Sequence, residues 1–187
     1  MKKLLLAIAA LFLFAGVTFA QSLEELQAER QQLKTEMASK DYQKMEKQYA
    51  KLGSKPESTK INSVDGVVNA SSSILTTLDS SEKILTTLKD DINASQDGSI
   101  NINNYLGTIQ EFEAQIKALG TASNEAKEAL EQIKSAKNDV KGLSPLEAKS
   151  ATKALNWSKS ALDISATKID MNVRLLNNII KSCKAAK

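Results

Sequence analysis

Glu125, Glu128, Glu131 and Asp139 are the residues closest to a catalytic set in this chain. Paired carboxylates serve general acid–base chemistry and glycoside cleavage. These four sit off the apolar positions around them, in patches of mixed charge, which is the pattern of a solvated helix face. The chain contains no histidine. Ser-His-Asp and Cys-His nucleophiles are therefore impossible, as are the Glu-x-x-His pairs of di-iron bundles, axial imidazoles on haem and imidazole-bound zinc. No Gly-rich phosphate loop is present. The expectation is a protein that is not an enzyme, with no catalytic residue, no cofactor and no metal.

Two other groups could act on a partner. Cys183 is the only cysteine, so it has no internal disulfide partner and is a candidate for an intermolecular one. Lys181, Lys184 and Lys187 surround it and would lower the pKa of an exposed thiol. The alternative is a small buried hydrophobe in the last helical turn. Lys40, Lys44, Lys47 and Lys51 share one helical face and could meet anionic lipid. Glu36, Asp41 and Glu46 are interspersed, so a solvated face is the preferred reading.

The start of the chain reads as an address. Lys2 and Lys3 precede an uncharged apolar run from Leu4 to Val17, and Thr18-Phe19-Ala20 is a small-x-small exit. This is the pattern of a secretory signal peptide over residues 1–20, cleaved near Ala20, with the mature protein periplasmic or extracellular. An uncleaved anchor is the alternative, since residues 4–20 lie at the lower limit of a membrane span. The full chain carries 25 Lys+Arg against 22 Asp+Glu. The segment holds two of those lysines and no acid, which leaves 23 bases against 22 acids. A nearly neutral chain lacks the basic excess that nucleic-acid binding needs.

The elements that must position these groups follow from periodicity. Ile102, Tyr105, Ile109, Phe112, Ile116, Leu119, Ala126, Leu130, Ile133 and Val140 alternate steps of three and four, interrupted only by Ser123 and Lys137. A continuous helix there would run roughly 57 Å. Gly120 marks a possible weak point but no stop. Four helices are expected: 22–52, 59–95, 101–141 and 145–183. The first is the most charged, opens on a Ser22/Glu25 capping box and slips register between Met37 and Tyr42. The last opens on Ser144, Pro145 and Glu147. The fold class is all-α: an elongated up-down-up-down four-helix bundle over residues 21–187, with left-handed coiled-coil-like packing. Asn69, Asn93 and Asn156 stand in N-x-S sequons, of which the first and last fall mid-helix.

The last helix is apolar on two sides. Leu155, Leu162, Ala166, Ile169, Val173, Leu176, Ile180 and Cys183 form the seam. Trp157, Ile164, Met171 and Leu175 form a second line about 200° round from it. That line is the candidate partner contact unless the first helix covers it. Two functions compete. The leading one is a non-catalytic, exported structural or protein-interaction module of the cell envelope, bound to a protein partner or to itself. The other is a bundle that engages a lipid or membrane surface.

Overall fold

The computed structural model describes residues 21–187. The signal-peptide expectation falls on residues 1–20, outside the described residues. Within the described residues the fold is all-helical, without strands. Five α-helices pack closely: α1 (Leu23–Met37), α2 (Lys40–Ala50), α3 (Asn62–Ala94), α4 (Ile109–Asp139) and α5 (Pro145–Ala185). Short 3₁₀ turns occupy Ile102–Tyr105 and Val140–Gly142. The three long helices pack on one another in all three pairings, and α1 lies chiefly on α5. No described helix is long and apolar enough to cross a membrane.

The expected single helix over 22–52 is two helices. Ser39 breaks it, and its hydroxyl accepts a 3.2 Å bond from the Tyr42 N–H to cap α2. The cause is the five-residue step from Met37 to Tyr42. Five residues carry an unbroken helix about 140° past its own stripe. The break turns Tyr42 and Met45 back to the side that Leu26, Leu33 and Met37 bury. Leu23, three residues before Leu26, is exposed.

The long central helix is also shorter than its periodicity implies. It starts at Ile109, not near residue 101, and at 31 residues spans roughly 46 Å. Asn101 draws the chain into a turn, its side chain accepting from the Asn103 N–H at 3.2 Å. Tyr105 swings back to α3, where its hydroxyl donates to Asp91 at 2.5 Å. The helix then runs unbroken through Gly120.

The buried side of α4 mixes large and small residues. Phe112, Leu119 and Ile133 are buried together with Ala122, Ser123, Ala126, Ala129 and Ala136, while Ile116 and Leu130 are half-buried and Lys137 is exposed. α5 buries Ala151, Ala154, Ser158 and Ala161 towards its own start. Small side chains let neighbouring helix axes approach closely. The far half of α5 buries Ile169, Met171, Leu175, Leu176, Ile179 and Ile180. Larger residues hold helices further apart, and that half is where α1 and α2 are added.

Candidate functional site

The second apolar line of α5 is covered by the chain itself. Ile164, Met171 and Leu175 are buried. They alternate with Lys168, Asn178 and Ser182 in steps of three and four, so all six residues share one stripe. Contacts to that stripe run in order. Arg30 meets Asn178 and Ser182, Glu36 meets Arg174 beside the stripe, and Glu46 meets Lys168. Numbers fall along α5 as they rise through α1 and α2, so the two short helices lie antiparallel to it.

The first polar latch is built on Arg30, only 3% exposed. Its Nε–H donates to the Gly98 carbonyl at 2.9 Å. One terminal nitrogen donates to Asn178 Oδ1 at 2.9 Å and to Ser182 Oγ at 2.6 Å. Asn178 returns bonds from Nδ2 to the Leu26 carbonyl and to Glu29, both at 2.9 Å. Burial lowers the Arg30 pKa, opposed by the charge of Glu29. The C-terminal ends of α3 and α5 lie at this latch, and their dipoles favour a cation there.

Gly98 belongs to the same latch. Its φ is +79°, a backbone state that suits glycine. A Cβ there would stand 2.8 Å from the Gln27 carbonyl oxygen and 2.8 Å from the Gln31 nitrogen. The α3–α4 connection therefore rests directly on the backbone of α1. Gln27 adds a bond to Asp97 at 3.0 Å, and Lys34 donates to the Ser95 carbonyl.

The second latch is built on Lys168, 2% exposed. Its ammonium lies 2.5 Å from Glu46 and 3.4 Å from Glu82. It also stands 4.7 Å from the centre of the Tyr49 ring, a cation–π distance. Glu82 in turn binds Lys89 at 2.7 Å and accepts from Asn172 at 2.8 Å. Burial pushes the Glu82 carboxyl up. Lys89 and Lys168, with the bonds from Lys89 and Asn172, outweigh that and hold it below its usual range. Tyr49 donates to Asp79. Burial and that bond raise its pKa, and burial beside Glu46 raises that of Tyr42.

Trp157 lies apart from the covered residues. It stands roughly 16 Å along α5 from Lys168. The residue is half-buried, and its Nε1–H is buried with no hydrogen-bond partner among the described residues. Leu143 is half-buried and Leu146 is 80% exposed near the same end of α5. Cys183 is fully buried, and burial raises its pKa against the opposing pull of Lys187 and Arg30. A bridge through it requires the last turns of α5 to open. Glu125, Glu128, Glu131 and Asp139 are all exposed. The first two line a shallow hollow of about 340 Å³ between α3 and α4. No three His, Cys, Asp or Glu side chains converge as a metal site among the described residues.

Sequence reasoning passed over Lys168 and Arg30. Each carries a readable signal: a cation in register with apolar neighbours four residues before and three after. Those neighbours are Ile164 and Met171 for Lys168, and Leu26 and Leu33 for Arg30. No family model, no curated protein and no solved structure matches the chain.

Proposed function

We propose that this is a non-catalytic, exported helical-bundle protein, a structural or protein-interaction module of the cell envelope. One observation carries the reading. The buried cations are spent on joining helix to helix, and the second line of α5 is filled from within except at Trp157. The partner surface is then the face around Trp157, with exposed Leu146 roughly 16 Å further towards the start of α5. A half-buried indole is suited to such a role, since Trp is enriched at binding hot spots and brings a large apolar area.

The finer architecture belongs to the same proposal. α1 and α2 act together as one broken member beside α3, α4 and α5, in up-down-up-down order with left-handed coiled-coil-like packing. The ordered contacts from Arg30 to Glu46 along α5 support it, as does Lys184 on Glu113 at 2.9 Å between α5 and α4.

Photo-crosslinking in the source cell tests the reading. A photoreactive phenylalanine at position 157 is expected to capture an envelope protein, and the same group at exposed Lys117 is not. Equal capture from both positions, or none from 157, contradicts it. Fractionation with N-terminal sequencing tests export, with Gln21 the expected first residue.

A further inference from the structure

The lysine stripe of α2 is purer than its sequence suggests. Of the interspersed acids, Glu46 turns inward to Lys168 and Glu36 binds Arg174. Only Asp41 remains exposed on α2 itself. Lys40, Lys44, Lys47 and Lys51 are all exposed and pair with no carboxylate among the described residues. They centre about 160° round the helix from Tyr42, Met45 and Tyr49, which pack on the core. The stripe runs roughly 16 Å along the outside of the molecule.

We infer that the outer face of α2 is a docking face for an anionic membrane surface. Three observations favour a bilayer over other polyanions. The four lysines stand exposed on the outward side of a helix, a convex face that meets a flat surface more readily than it encloses a peptide. Its cations are all lysines, flexible point charges suited to diffuse negative charge, where a bidentate fork would read a defined phosphate or carboxylate. The helix's two tyrosines are turned inward, so no exposed ring interleaves the lysines to stack on a nucleic-acid base. The apolar side of α2 is committed to α3 and α5 through Glu46, Tyr49 and Lys168. Contact is therefore electrostatic and superficial, without insertion. This inference stands apart from the Trp157 reading, and either can fail alone.

Co-sedimentation with vesicles tests it, using residues 21–187, which contain every described helix and contact. Vesicles of one part phosphatidylglycerol to two parts phosphatidylcholine are compared with phosphatidylcholine alone, at low and high salt. Binding is expected only to the anionic vesicles, and added salt abolishes it. The combined Lys40→Gln, Lys44→Gln, Lys47→Gln and Lys51→Gln variant is expected to lose at least about a hundredfold in partitioning. A control that removes exposed Lys134, Lys137, Lys149 and Lys153 should stay within about threefold of the parent. The matching Lys→Arg stripe variant should still bind, and circular dichroism verifies that each variant is folded. Absent binding to anionic vesicles, equal loss in stripe and control variants, or tighter binding of the parent to poly-glutamate or DNA than to the vesicles at matched charge overturns the inference.

Discussion

The Lys168 ammonium lies 2.5 Å from the carboxylate of Glu46, across 122 positions of sequence, and it is the tie between α2 and α5. A cation this deeply buried is costly unless it is paired and hydrogen-bonded. Glu46, Glu82 and the Tyr49 ring supply what it needs.

The two carboxylates of that latch should differ in weight. Glu46 is 33% exposed and forms an ion pair with Lys168 and with no other cation among the described residues, so Glu46→Gln is expected to cost about 1 kcal/mol. Glu82 faces both Lys168 and Lys89, so Glu82→Gln leaves the buried Lys168 and the half-buried Lys89 short of an anion and should cost about 3 kcal/mol. Urea unfolding ranks the two variants. The reverse order contradicts this arrangement of charges.

The pH dependence has a definite sign. The folded state holds Glu82 below its ordinary value of 4.5. Its stabilisation is therefore complete above that value and is lost as pH falls through the lower, folded one. Asp170 acts oppositely. Burial raises its folded value above 3.8, against the pull of Arg174, so its protonation favours the fold. Urea midpoints of the parent should drop on acidification below about 4.5. Glu82→Gln should show a shallower drop, and Asp170→Asn a steeper one. Parallel curves for the parent and Glu82→Gln would rule out the Glu82 contribution.

Two glycines should respond in opposite directions to alanine. At Gly98 the methyl group strikes the backbone of α1 at 2.8 Å, in a left-handed conformation, so Gly98→Ala should cost about 2–4 kcal/mol. Gly120 is mid-helix with nothing within 4 Å of an added Cβ. Gly120→Ala should gain up to about 1 kcal/mol. Thermal unfolding of the two variants checks both signs.

Cys183 should be slow to react. Its sulfur is inside the core, and burial raises its pKa. In native buffer, labelling by a disulfide reagent is expected to lag behind labelling in urea by at least about a hundredfold. Comparable rates would place the thiol at the surface and restore the intermolecular bridge as a candidate.

Much of the helical outline was legible because capping chemistry is local. Ser22 and Glu25 form their reciprocal pair, with bonds of 2.8 and 3.1 Å, and Pro145 opens α5 as its sequence position implies. The break at Ser39 was visible only as a register slip. It became a cap because Tyr42 and Met45 had to return to the buried side. The small-residue seam of α4 was legible only in part: Phe112, Leu119, Ala126 and Ile133 of the expected stripe are buried, whereas Ala122, Ala129 and Ala136 lie beside it, where a search for large apolar residues does not look. The latches were hidden for a different reason. Pairings such as Arg30 with Ser182 span most of the chain, and periodicity carries no information about which helix answers a buried charge.

The central claim is that α1 and α2 fill the second apolar line of α5, so that Met171 and Leu175 need no outside partner. Light scattering on a sizing column, for residues 21–187 with and without reductant, tests it most directly. A monomer is expected under both conditions. A dimer under both conditions that persists in Trp157→Ala would contradict it, because the line of Met171 and Leu175 would then be meeting a second copy.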